Sequence, residues 1–282
     1  MIQFKNLCTT PLEEIVRVFN LAFSDYFVPI KTSEEALQRK FLVEKVRLDV
    51  SVGAFENDQL VGFVLHFGTI VNGEKILYNG GTGVIPSHRG QNLTCRMITH
   101  CLPLIKTEGF SKIKLEVFAI NSFALKAYQK MGFKEIRLLN CFKGKLLEGQ
   151  KRNESVRVAK METIDWTVLK LFWDLEPTWQ NAEHTLVSLG EKIDFYGALL
   201  KEELVGYVVF NPMERRIHQL AVAPKYRKQG VASGLLQDIA EKEKELVSFI
   251  NIDTRIEIEG VLEEFGLENF AQQLEMELLL TD

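Results

Sequence analysis

The residues with the clearest chemical potential sit in two short basic turns. Val222-Ala-Pro-Lys-Tyr-Arg-Lys-Gln-Gly-Val-Ala232 follows an apolar run (Ile217 to Ala221) and leads into an amphipathic one (Val231, Leu235, Leu236, Ile239, Ala240). That order predicts a strand, a tight turn and a helix. A turn of this kind aims backbone N–H groups and a helix N-terminus at one point, which makes an anion site. Val84-Ile-Pro-Ser-His-Arg-Gly-Gln-Asn-Leu-Thr94 repeats it in the same register, 138 residues earlier.

The elements that must position these turns also repeat. Leu60-Val-Gly-Phe-Val64 recurs as Leu204-Val-Gly-Tyr-Val208, Val84-x-Pro86-x-x-Arg89 as Val222-x-Pro224-x-x-Arg227, and Lys130-Met-Gly-Phe133 more weakly as Glu264-Phe-Gly-Leu267. Three blocks in one order predict two homologous domains, 1–145 and 155–282, joined through the polar stretch Gly144 to Ser155. Each half opens with a short strand, Ile2 to Lys5 or Val156 to Ala159. An amphipathic helical pattern follows, carried by Leu12, Ile15, Val16, Phe19, Ala22 and Phe23, or by Trp166, Leu169, Phe172 and Trp173. These stripes read as core packing. A second helix is expected between Ser24 and Arg47.

In the first half, strands are expected at Val50 to Phe55, Leu60 to Thr69 and Lys75 to Ile85, the last two joined by the hairpin signal Asn72-Gly73. A helix from Leu93 to about Thr107 should kink or end at Pro103. A strand at Lys112 to Ala119, a helix at Ser122 to Met131 and a strand at Glu135 to Phe142 complete a mixed α/β sheet, mostly antiparallel and flanked by helices. Gly80-Gly-Thr-Gly83 is no dinucleotide fingerprint, because its glycines lie inside a strand and Pro86 stands where the third should be. Gly81 and Gly83 read instead as a bulge or a close backbone approach.

Composition narrows the function. The chain has 282 residues, 46% hydrophobic and 26% charged, with a net charge of −4. That is ordinary for a soluble protein and argues against a nucleic-acid binder. The four cysteines form no C-x-x-C pair and no His cluster accompanies them, so no metal site is expected. With no leader pattern at Met1 and no apolar run of membrane length, the expected setting is cytoplasmic and the expected state a monomer or weak homodimer.

Arg227-Lys-Gln-Gly230-Val-Ala232 matches [R/Q]-x-x-G-x-[G/A], the hallmark of the GNAT superfamily of acetyl-CoA-dependent N-acetyltransferases, and the chain resembles two tandem copies of that fold. Arg89-Gly-Gln-Asn92-Leu-Thr94 keeps the arginine and replaces both small residues. The run Glu116-Val-Phe-Ala-Ile-Asn121-Ser-Phe-Ala124, with Tyr128 and Gly132-Phe133, looks like the family's fifth strand, its asparagine and its tyrosine-bearing helix.

The resemblance implies acetyl-CoA as co-substrate and no metal. Its pyrophosphate would be held by Arg89, Gly90, Gln91, Asn92, Leu93 and Thr94, or by Arg227, Lys228, Gly230, Val231 and Ala232. Its pantetheine arm would lie along Val84 or Val222 and beside Asn121. The implied reaction is attack of a primary amine, of a small molecule or a peptide, on a thioester. A substrate ammonium of pKa about 10 must lose a proton and a thiolate, with a conjugate acid of about 8.5, must gain one. Glu116 suits the first role, directly or through water, and Tyr128 the second; the spacing resembles that of ribosomal-protein N-terminal acetyltransferases. The bland alternatives are a solvated strand carboxylate and a packing tyrosine. Aligning on Gly266 puts Leu262 where Tyr128 stands and Arg255 near Asn121, so catalysis is expected in the first half. Tyr26 to Ile30 is expected to border the acceptor groove. The competing class is a non-catalytic acyl-CoA-binding or scaffolding protein. His88 reads as a loop residue, and His66, His100, His184 and His218 carry no spacing signal.

Overall fold

The computed structural model describes residues 1–149 and 153–280; residues 150–152, within the expected join, and 281–282 lie outside the described residues. Two compact units emerge. Unit 1 is Met1–Ile136 with the chain from Leu274 onward, and unit 2 is Arg137–Gln273. Relative to a simple split of the sequence, each unit therefore takes its last strand from the other half.

Unit 1 runs β1 (Ile2–Asn6), α1 (Leu12–Ala22), α2 (Glu34–Val43), β2 (Val52–Glu56), β3 (Gln59–Val71), β4 (Glu74–Val84), α3 (Leu93–Thr107), β5 (Lys112–Phe118) and α4 (Ser122–Lys130). Strand β6 (Lys134–Lys145) follows and contributes to unit 2 from Arg137. Unit 2 continues with β7 (Arg157–Lys160), α5 (Trp166–Lys170), α6 (Glu183–Leu189), β8 (Asp194–Leu200), β9 (Glu203–Asn211) and β10 (Arg216–Val222). It ends with α7 (Val231–Lys242), β11 (Leu246–Asp253), α8 (Glu259–Glu264) and β12 (Glu268–Leu279), whose end from Leu274 belongs to unit 1. Strand order is β1-β2-β3-β4-β5-β12 in the first unit and β6-β11-β10-β9-β8-β7 in the second. All ladders among β1 to β4 and β7 to β10 are antiparallel, while β4–β5 and β10–β11 are parallel.

Local sequence explains these elements. Asn72 and Gly73 take φ of 50° and 83°, the left-handed pair that a two-residue hairpin requires. Strand β5 alternates as expected: Ile113, Leu115 and Val117 are buried in the core under α3 and α4, and Lys112, Lys114, Glu116 and Phe118 take the opposite face. Ser33 caps α2 by accepting from the Ala36 N–H at 3.2 Å.

Helix α3 runs from Leu93 to Thr107 as expected and does not end at Pro103, because its buried stripe of Met97, Ile98, Cys101 and Ile105 continues past the proline. Two local expectations are corrected. The stripe expected through Trp173 is helical only to Lys170; Phe172 and Trp173 lie beyond it, with the Trp173 indole donating to Tyr207 Oη at 2.5 Å. The bulge in β4 falls on Gly80, since Leu65 pairs with Gly81 and His66 with Asn79. Gly83 does mark a close approach: a Cβ there would lie 2.8 Å from the Ala22 Cβ at the end of α1.

Candidate active site

In unit 1 the strands that flank the first turn part company. β4 and β5 are in register only from Ile76–Tyr78 against Lys112–Lys114, yet β4 runs on to Val84 and β5 to Phe118. Their ends splay and leave unpaired backbone along one side of a cleft. The Gly80 bulge lies just past the last paired residue. A Cβ on Gly80 would fall 2.5 Å from the Phe67 ring, so only glycine lets the strand turn there.

The turn leaving β4 is a 3-10 turn at Pro86–His88, then Arg89, Gly90 (φ 78°), Gln91 and Asn92 (φ 57°), with α3 starting at Leu93. The twin in unit 2 passes through Pro224–Tyr226, Arg227, Lys228 (φ 58°) and Gly230 (φ 77°) into Val231. Each loop therefore has two left-handed residues, and glycine fills the first in one copy and the second in the other. Asn92 adopts the conformation of Gly230 because asparagine tolerates it better than most residues. The N–H groups of Leu93 and Thr94, and of Val231 and Ala232, belong to a first helical turn that has no intrahelical acceptors. The side chains of Leu93 and Val231 are core residues, which leaves only their backbone to face an anion.

Both loop arginines are spent on holding the turn rather than reaching outward. Arg89 donates through Nε to the Val84 carbonyl at 3.2 Å, through Nη2 to the Ala22 carbonyl at 2.9 Å, and to both Asp25 oxygens at 2.7 Å. Arg227 repeats this on the Val222 carbonyl (3.0 Å), the Phe172 carbonyl (3.2 Å) and Asp174 (2.7 Å). The guanidinium ties the strand end to the end of the preceding helical segment, a fork geometry that lysine cannot supply. Lys228 is exposed and pairs with Glu257 at 3.3 Å. His88 bonds Ser87 beside it and Glu56 at the end of β2.

The three candidates around the cleft lie on two faces. Glu116 is half-buried on the α1–α2 face and accepts a short hydrogen bond from the Tyr78 hydroxyl. Burial, then the nearby Glu275 carboxylate, push its pKa up to about 7, against the lowering effect of Tyr78. Tyr128 is buried on the opposite face, edge-on to Phe133 at 5.4 Å between ring centres. Its hydroxyl hydrogen-bonds with Thr82 and Asn79 of β4, and burial raises its pKa to about 12, so it carries its proton at any working pH. Asn121 caps α4, with Oδ1 accepting from the Ala124 N–H at 3.1 Å and Nδ2 donating to Tyr26 Oη at 3.1 Å. That second bond ties the α1–α2 segment to the cleft; the Tyr26 ring also packs at a tilt against Phe27 and Phe118.

Unit 2 has a cleft of the same kind, with Leu262 where unit 1 has Tyr128. β10 and β11 are in parallel register only at Arg216–Ile217 with Ser248–Phe249, and a cavity of about 940 Å³ opens beyond them, bordered by Val222, Arg227, Gly230 and Val231. Leu262 is fully buried in the core, and Arg255 lies against Asp253 through two bonds of 2.9 and 2.6 Å.

Several partners escaped sequence reasoning. Tyr78, Asn79, Thr82 and Glu275 are single polar residues in strands, and only the pairing of those strands puts them beside Glu116 and Tyr128. Asp25 and Asp174 carried a faint signal, since each precedes its arginine by a similar stretch, 64 and 53 residues.

A strand splay, a bulged strand beside it and a left-handed turn opening a helix are present twice, a tandem repeat of one mixed α/β fold. The acetyltransferase (GNAT) family profile matches residues 15–133 and 159–268, and the chain belongs to that family. A tandem GNAT protein from the clavulanic acid biosynthesis pathway, solved without AcCoA, superposes with a TM-score of 0.73 at 12% identity, covering 100% of this chain and 99% of that one. A GCN5-related N-acetyltransferase from Sphaerobacter thermophilus gives 0.77 at 13% identity, covering 100% and 96%. At such identities the likeness is one of fold. N-alpha-acetyltransferase 30 of Schizosaccharomyces pombe is 28% identical over 90 residues, 30% of this chain and 57% of that protein, so the match spans little more than half of that relative. Among the described residues no helix is long and apolar enough to cross a membrane, and no cluster of three or more His, Cys, Asp or Glu is arranged to hold a metal.

Proposed function

We propose that unit 1 is an N-acetyltransferase that moves the acetyl group of acetyl-CoA onto a primary amine, of a small molecule or a peptide N-terminus, by direct attack. The observation that carries the reading is the pair of proton-handling groups on opposite faces of one splay: a carboxyl with pKa near 7 and a tyrosine that stays protonated. The Gly90-to-Thr94 backbone holds the pyrophosphate and the free edge of β4 at Val84 pairs with the pantetheine arm. Glu116 takes the ammonium proton, directly or through water. The amine nitrogen then bonds to the thioester carbon, the C–S bond breaks, the departing thiolate takes the Tyr128 proton, and the second proton shed by the nitrogen returns through solvent to the Tyr128 oxygen.

The second loop, Arg227 to Ala232, is suited to the same coenzyme. Unit 2 lacks a proton donor at Leu262, which favours binding without transfer there. The deciding measurement is thiol release from acetyl-CoA with a panel of amines. Tyr128→Phe should lower turnover by about 10²-fold, and Arg227→Ala should leave it within about twofold. An intact Tyr128→Phe enzyme beside a dead Arg227→Ala enzyme would place catalysis in unit 2 instead.

A further inference from the structure

The cavity of unit 2 has an inner end that its coenzyme-loop signature does not explain. The β10 register passes from Ile217 opposite Phe210 to Gln219 opposite Val209, leaving His218 as the extra residue of a bulge at the head of the splay. Four residues of strand, roughly 13 Å, separate it from Val222 at the loop end. A ligand lying along β10 from the loop, as a coenzyme arm would, arrives at this bulge.

The polar groups there form a chain that leaves two atoms of cavity-lining residues unmatched. Trp173 donates to Tyr207, the Tyr207 hydroxyl donates to Gln219 Oε1 at 2.6 Å, and Gln219 Nε2 donates to the Asn181 carbonyl at 2.6 Å. Asn181 Oδ1 accepts from Arg216 at 2.9 Å and faces His218 Nδ1 at 3.2 Å, while Asn181 Nδ2 donates to the Ile250 carbonyl. With acceptors facing Nδ1, the proton belongs on that nitrogen and Nε2 carries a bare lone pair. Nε2 is buried without a partner, and so is the Thr178 hydroxyl; the two side chains belong to residues only 4% and 1% exposed, and both line the cavity. The turn that bonds Asn181 N–H to the Thr178 carbonyl at 2.9 Å brings Thr178 beside the asparagine that holds His218. Burial and the adjacent Arg216 keep the ring neutral, with its pKa lowered to about 2.

A buried acceptor and a buried hydroxyl left unmatched in a polar chain mark a place built for something that both donates and accepts. A neutral hydroxyl can satisfy both atoms. Asp253, the buried carboxylate on the cavity wall, is already taken by Arg255 and by Arg137 at 3.5 Å, so nothing is left there for an ammonium. An alcohol meets these conditions: its O–H donates to His218 Nε2 and its oxygen accepts from Thr178.

We propose that unit 2 is a non-transferring acyl-CoA site whose inner end selects a thioester carrying a hydroxyl on its acyl chain. The proposal does not need the transfer assigned to unit 1, but it rests on the reading that the second loop holds the coenzyme. It is tested by calorimetric titration of the full chain with 3-hydroxybutyryl-CoA and with butyryl-CoA. The wild type should bind the hydroxy compound about tenfold more tightly at one of its sites. His218→Phe and Thr178→Val should each bring that ratio to within about twofold while leaving butyryl-CoA affinity near wild type. Equal affinities in the wild type overturn the proposal, as buried water alone then satisfies the two atoms. A preference that survives both substitutions also overturns it, because the selectivity then arises elsewhere. Should the histidine variant fail to fold, the threonine variant, which changes little volume, decides the matter.

Discussion

Replacing Glu116 with glutamine should slow the enzyme and stabilise the protein at the same pH, and both effects follow from one raised pKa. The gap between the ordinary glutamate value of 4.5 and about 7 corresponds to about 3 kcal/mol against the carboxylate, at roughly 1.4 kcal/mol per pKa unit. Glu116 is only half-buried, so solvent screening leaves on the order of 1–2 kcal/mol. Between pH 4.5 and 7 the folded chain keeps a proton that the unfolded chain releases, and stability therefore falls as pH rises through that window. Glutamine has no proton to lose. Urea unfolding at pH 5 and pH 8 should show the variant gaining on the wild type by about 1–2 kcal/mol between the two. Turnover should move the other way: about 10²-fold below wild type at pH 8, with the two rates converging towards pH 5 as wild-type Glu116 becomes protonated. A stability difference that is flat with pH would refute the burial argument. Equal turnover at pH 8 would refute the base assignment.

Other substitutions probe the frame around the site. Asn92→Ala should weaken the first loop by about 1 kcal/mol, the penalty for a left-handed non-glycine residue, and raise the KM for acetyl-CoA, whereas Asn92→Gly should match or better the wild type in thermal melting and KM. Gly144→Ala should lower stability by about 3 kcal/mol or more, because its Cβ would lie 1.9 Å from the Gly266 carbonyl oxygen, which is backbone and cannot rotate aside. Gly260→Ala serves as the opposite control: it faces open space within α8 and should gain about 0.5–1 kcal/mol in urea unfolding.

Much of the frame was legible in the residues themselves. Asn72-Gly73 called its hairpin because two consecutive left-handed residues admit few alternatives. The alternation of β5 placed Glu116 opposite Leu115 and Val117 before any fold was known. Short-range steric rules of this kind need no tertiary context. Of the two outcomes expected at Pro103, a kink or an end, the helix does not end, because a buried stripe on both sides of the proline outweighs one lost backbone bond.

The site was legible as a list and not as an arrangement. Sequence alone determined that the chain carries two basic turns of one kind, that one has glycine where the other has Asn92, and that a tyrosine stands in one copy where leucine stands in the other. Those are properties of residue type and spacing, fixed by backbone conformation and side-chain chemistry. Tertiary structure decided the rest. It turned Arg89 and Arg227 inward onto Asp25 and Asp174, buried Glu116 near Glu275, which raises its pKa, and against Tyr78, which lowers it, and left His218 and Thr178 facing a cavity with nothing to bond. Contacts between residues 38 to 159 positions apart depend on strand register and burial, which are set by the whole fold and leave no local trace in the sequence.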